Sequence, residues 1–293
     1  MRLTPPLFTI ALATLLAAVS ARAHDFRMGA TLTYAENFSR TSFAPTAKDA
    51  KLGDFDAAYV HAKQLAPNWT LIAALEGNAE AVSRFSAMNR LGAGARATLR
   101  HKFGLGPMAP VLDAGAAFTS VNFRESGRSG WREEAFASLS QRFTENWRVV
   151  ATASWETFTA AHAPFDTHAR RLGLETYYDV TDTWQFGAGA SRLDGQLVAN
   201  AAWSVWSQAI GGGLGPTVQN YYTSIPWEIT DTFGDGWVAY RVDCRADFRW
   251  AQLTARLTEH TSMPLRYESV KVVNRIGIRY DSAFWSLGVL HRF

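Results

Sequence analysis

A chain of 293 residues with 29 basic and 26 acidic side chains has a formal charge of only +3 at pH 7, and its single cysteine rules out an intramolecular disulfide or a zinc or redox pair. That balance leaves no electrostatic footprint for nucleic acid. No apolar run after residue 23 reaches the ~20 residues that a membrane-spanning helix needs. Yet 13% of the residues are aromatic and 11 are tryptophan, which is generous for a domain that lives in water.

Residues 1–23 read as a cleaved secretory signal peptide. Arg2 supplies the positive start, Leu7 to Ser20 the apolar run, and Ala21-Arg22-Ala23 a small-x-small cleavage site. Two arginines and no acid leave with it, so residues 24–293, read as one domain, carry a formal charge of +1. From there the period is two. Phe26, Met28, Ala30, Leu32 and Tyr34 share one face against Arg27, Gly29, Thr31 and Thr33, as in a strand with a greasy and a polar side. Leu91, Ala93, Ala95, Ala97 and Leu99 oppose Arg90, Gly92, Gly94, Arg96 and Thr98. Trp147, Val149, Ala151, Ala153 and Trp155 oppose Arg148, Val150, Thr152 and Ser154.

Between the strands, LAPNW (65–69), FTENW (143–147) and VTDTW (180–184) repeat one short turn, and FGLGPMAP (103–110) is another breaker. Longer, more polar connections fall near 37–53, 78–89, 123–131 and 159–168. Alternating short and long connections predict an antiparallel up-and-down transmembrane β-barrel, with tryptophans after the short turns forming a lower aromatic girdle. Trp147 and Trp155, eight residues apart on one face, span roughly 26 Å of strand, enough to reach both interfaces after tilting. The spacing of the turns gives 12–14 strands. A periplasmic turn at GLGP (213–216) makes fourteen, and an external loop across 196–236 makes twelve; the repeat of GLGP from 104–107 favours fourteen. Near Trp250 the apolar phase slips from even to odd positions, which predicts a β-bulge or an extra turn.

In VAYRVDCRADFRW, Val238, Tyr240, Val242, Cys244, Ala246, Phe248 and Trp250 form an apolar face, and Arg241, Asp243, Arg245, Asp247 and Arg249 form the other. If the apolar face meets lipid, the charged ladder lines the lumen. Arg90, Arg96, Arg100 and Lys102, with Lys271, Arg275 and Arg279, add cations to the same interior, against fewer acids at Asp113, Glu156, Glu175 and Asp179. A basic lining selects anions; alternatively the charges pair across strands and rigidify the interior. His162, Asp166 and His168 in HAPFDTH form a candidate metal or catalytic cluster in an external loop. No catalytic residue and no cofactor is assigned.

The chain ends on a strand in which Trp285, Leu287, Val289, His291 and Phe293 share a face. This ending resembles the C-terminal β-signal of bacterial outer-membrane β-barrel proteins, with His291 where an aromatic is more usual. The resemblance covers the signal, the last strand and the strand pattern, and defines a class rather than one family. It implies export through the periplasm, reading of the last strand by the barrel-assembly machinery, a bacterial outer-membrane location and contact with outer-membrane lipid. Closure requires the last strand to pair with the first, Phe26 to Tyr34, because lipid offers no partner for an edge strand. The expected activity is a porin-like passive channel with a basic lumen for small anionic or polar solutes. A non-conducting adhesion or assembly platform is the second reading, with Trp203, Trp206, Tyr221, Tyr222 and Trp227 in its loops. An outer-membrane hydrolase with its site at the external rim is the third.

Overall fold

The computed structural model describes residues 24–293. The signal-peptide reading of residues 1–23 therefore lies outside the described residues. Thirteen strands form one antiparallel sheet. They are β1 (His24–Glu36), β2 (Ala50–Ala66), β3 (Trp69–Val82), β4 (Arg90–Lys102), β5 (Val111–Phe123), β6 (Gly130–Arg142), β7 (Trp147–Ala160), β8 (Thr167–Asp179), β9 (Trp184–Ala202), β10 (Trp227–Thr230), β11 (Trp237–Arg256), β12 (Thr261–Asn274) and β13 (Ser282–Arg292). Neighbours in sequence pair along the sheet, β9 pairs with β11, and β13 closes on β1 through Arg27↔Arg292 to Glu36↔Ala283. The closed barrel has twelve strands, because β10 pairs only with β11. The sheet has no free edge through the membrane-spanning part, as lipid demands.

Fourteen strands are not formed, and the cause lies in 203–236. β9 and β11, 19 and 20 residues long, leave and re-enter at the same end of the barrel. The GLGP at 213–216 is a break between two short helices, α1 (Trp203–Ile210) and α2 (Pro216–Ser224). Gly212 and Gly215 take positive φ there, and Pro216 opens α2, where its missing N–H costs nothing. The long connections 37–49, 83–89, 124–129, 161–166, 203–236 and 275–281 share one end of the barrel. The turns 67–68, 103–110, 143–146, 180–183 and 257–260 share the other.

Register separates outside from inside. Leu32, Trp155, Leu172 and Trp285 lie on one wall and are 70%, 60%, 65% and 49% exposed. Rows of large apolar side chains open to the surroundings on every side are what a bilayer covers and water does not tolerate. At the terminal strand Trp285, Leu287 and Val289 join that wall. Phe293 donates its N–H to the Phe26 carbonyl at 2.9 Å, and the two rings lie 5.4 Å apart. His291 bonds Thr261 at 2.9 Å, so the imidazole has a polar partner where an aromatic was expected.

Candidate functional site: bore, mouth and outer wall

The predicted bulge at Trp250 is absent. β11 keeps one unbroken register against β9 from Trp237↔Ala202 to Ala255↔Trp184; the register shift in the barrel lies instead at Gln64/Ala66. Opposite residues in a paired ladder share a face. The outer wall therefore runs from Leu172 to Arg192, from Arg192 to Asp247 and from Asp247 to Lys271. Asp243, Arg245, Asp247 and Arg249 stand outside the barrel with Lys271, and Arg241 shares their strand face. This reverses the expected lumen ladder. Below Arg249 the same outer face carries Ala251, Leu253 and Ala255, which suit lipid. Above it the strand leaves the hydrocarbon, so charges are cheap outside and an apolar inner face is free to pack on protein. The slip in the sequence records a change of solvent along one straight strand.

That inner face meets a protein core. Val238, Tyr240, Val242, Cys244 and Ala246 are buried with Val270 and Val272 of β12, Tyr280, and Trp206 and Tyr222 of the two helices. Tyr240 lies 4.7 Å from the Trp206 ring, and the Tyr222 and Tyr280 hydroxyls bond at 2.6 Å. Lower in the bore, Trp250 lies across Gly187 and Gly189; a Cβ at Gly189 would fall 2.6 Å from the indole, so this approach requires glycine.

Arg90, Arg96, Arg100 and Lys102 share the inward face of β4. The lining is not simply basic, however. Arg90 pairs with Glu80 at 2.9 Å, Arg96 with Glu76 at 3.0 Å and Glu134 at 3.1 Å, and Arg100 with Asp113 at 2.8 Å. Lys102 makes no ion pair among the described residues. The acids Glu76, Glu80, Glu134, Asp54 and Asp56 were missed by the sequence reading, although their alternation with Leu75, Ala79, Ala135 and Phe55 places them inward. Arg275 and Arg279 sit in the external connection 275–281, paired with Asp243 at 3.5 Å and Asp281 at 3.8 Å, and do not line the bore. The loop cluster does not assemble. His162 bonds Glu228 at 2.9 Å, Asp166 accepts the Ala160 N–H at 2.7 Å, and His168 lies on the outer wall opposite Thr157.

At the external mouth the loops interlock. Phe38, Phe85 and Phe233, from three connections, pack together with ring centroids 6.3, 6.0 and 4.9 Å apart, and Asn200 of β9 donates to the Ser39 carbonyl at 2.8 Å. This brace holds Arg40, which has φ 50°, a left-handed conformation that arginine rarely adopts. Its N–H bonds the Asn37 carbonyl at 2.9 Å. Arg40 is an exposed residue, yet Cys244, Arg128, Arg90 and Glu80 act on its guanidinium from β11, the 124–129 connection, β4 and β3. The surrounding protein lowers its pKa by desolvation, and it makes no ion pair among the described residues. No sequence signal marks this residue, since nothing in a loop's alternation says that it turns inward. At the opposite end a polar recess of about 420 Å³ opens beside Asp179, Gln185, Thr254 and Ser262.

A closed antiparallel barrel with an aromatic-flanked apolar wall and a charged bore is the fold of the bacterial outer-membrane β-barrel proteins. Among solved structures the chain is similar to an outer membrane channel from Pseudomonas putida F1, at 9% identity over 94% of this chain and 97% of that one, with a TM-score of 0.59. It is less similar to the NanC porin (10% identity, 92% and 99% covered, TM-score 0.46) and to the KdgM porin in complex with disordered oligogalacturonate (10%, 90% and 99%, TM-score 0.45). No family model and no curated protein matches the sequence.

Proposed function

We propose that residues 24–293 form a passive, porin-like channel in a bacterial outer membrane, reached by export through the periplasm and assembly on the barrel-assembly machinery, and that it passes small anionic or polar solutes. A fold shared with an outer membrane channel supports conduction as its use. The observation that carries the solute class is Arg40: an unpaired cation held at strained φ among groups from opposite walls. Strain maintained by a packed aromatic brace is the mark of a placed group. Arg90, Arg96 and Arg100 are neutralised by carboxylates and Lys102 stands at the opposite end of the bore, so at the external mouth the preference for anions is set by Arg40, an unneutralised arginine that favours negative solutes.

The test is conductance in planar bilayers with a salt gradient. The wild type conducts with an anion-selective reversal potential, Arg40→Ala weakens the preference, and Arg40→Glu shifts it toward cations. A silent wild-type barrel would overturn the channel in favour of a surface platform. A conducting barrel whose selectivity ignores Arg40→Glu would overturn the assignment to the mouth.

A further inference from the structure

We infer that the outer wall of β8, β9, β11 and β12, at and above the aromatic belt, docks phosphate-bearing lipid headgroups of the external leaflet. The inference rests on the membrane placement proposed above and is independent of conduction.

The wall is densely charged, and its charges do not cancel. Its three acids are engaged: Asp247 with Arg192 at 2.8 Å, Asp194 with Arg245 at 3.2 Å, and Asp243 with Arg275 at 3.5 Å. Arg170, Arg249 and Lys271 are left over, exposed and without an ion pair among the described residues. They belong to one surface. Arg170 stands opposite Asp194, and Lys271 stands opposite Asp247, diagonal to Arg249. Diagonal positions on a paired face lie about 7–8 Å apart, within reach of one phosphate held between long side chains.

Height selects the partner. Trp155 stands directly opposite Arg170, and Tyr267, packed on Trp285 at 4.7 Å, stands opposite Ala251, two residues below Arg249. Such rings sit at headgroup level, so the spare cations begin at the depth of the lipid phosphates. Guanidinium matches phosphate with paired hydrogen bonds, and basic side chains at a membrane surface gather anionic lipid. A second copy of the chain is a poor fit for the same face, because self-docking would bring excess like charge together.

The experiment uses the full barrel folded into phosphatidylcholine vesicles, with spin-labelled phosphatidic acid and spin-labelled phosphatidylcholine as probes of the lipid shell. The wild type holds phosphatidic acid several-fold more strongly, and high salt reduces the difference. The triple variant Arg170→Ala, Arg249→Ala, Lys271→Ala loses most of the preference, whereas Arg170→Lys with Arg249→Lys keeps most of it. Conductance stays at the wild-type level in both, since these side chains point away from the bore. Should the triple variant fail to fold, Arg249→Ala alone serves, with a partial loss expected. Equal retention of both lipids by the wild type would overturn the inference, as would an undiminished preference in a folded variant. Failure of the channel reading would appear instead as absent conductance with the lipid preference intact.

Discussion

Phe248 and Arg249 are consecutive in β11 and face different media: Phe248 lies beneath the Arg171 guanidinium at 4.1 Å inside the barrel, whereas Arg249 projects from the outer wall opposite Ala190. A single peptide unit thus separates a bore contact from a membrane-surface charge. A large thiol reagent on Arg245→Cys, two turns of the pleat further up the outer wall, should leave conductance unchanged. The same reagent on Ser138→Cys, which faces the bore opposite Asp113, should lower it. Native Cys244 is buried and gives little background labelling. Conductance before and after labelling decides the matter; a block from position 245 would return the ladder to the lumen.

The inner face of upper β11 holds the two helices. Tyr240 is 1% exposed and touches Trp206, Tyr222 and Tyr280. Truncating a buried aromatic of this size costs ~3–5 kcal/mol. Because the contacts join the 203–236 connection to the barrel, Tyr240→Ala should loosen that connection while the barrel survives. Limited proteolysis should then cut within 203–226, and the unheated protein should keep its folded mobility on a gel.

Much of the barrel was legible because lipid imposes one rule on most of every strand. The alternation in Phe26 to Tyr34, the turns before Trp69, Trp147 and Trp184, and closure by the terminal strand all follow from it. The rule lapses where a strand outruns the bilayer. Val238 to Ala246 carry the same greasy pattern as a lipid face but pack on Trp206 and Tyr222, which lie far away in the pattern. The reversed ladder and the excess strands share that cause, since both come from reading β9, β11 and 203–236 as if they stayed in the membrane. The mouth was illegible for another reason: Arg40 acts through a loop conformation, and a period of two carries no information about loops.

The lipid wall makes its own prediction. Leu75 is the central residue of the outward series Trp69, Leu71, Ala73, Leu75, Gly77, Ala79 and Ala81, which places it near the bilayer midplane. Leu75→Arg should destabilise the folded barrel by ~2–4 kcal/mol. Asn78→Arg, which faces the bore between Glu76 and Glu80, should cost much less. Urea titrations of folding into vesicles measure the contrast, and equal costs would contradict the assignment of faces.

A final prediction concerns acid and the mouth. Glu125 accepts from the Thr230 and Thr232 hydroxyls, both at 2.6 Å, and from Arg128 at 2.6 Å, clasping the returning end of the 203–236 connection to 124–129. Burial pushes this carboxyl up, but Arg128 and the two hydroxyls outweigh it, and the pKa is held below its ordinary value. A depressed carboxylate stabilises the fold above its unfolded pKa and loses that contribution as pH falls through the folded one. The clasp should therefore hold at neutral pH and release only in acid, below the usual carboxylate range. Hydrogen exchange at 227–232, corrected for the intrinsic rate, should rise on acidification in the wild type. In Glu125→Gln it should be faster already at neutral pH and nearly flat with acid, since hydrogen bonds to a charged group contribute ~1.5–3 kcal/mol and those to a neutral amide less. Protection in the wild type that ignored acid would show that the connection is held by the aromatic contacts of Phe233 and Trp237 alone.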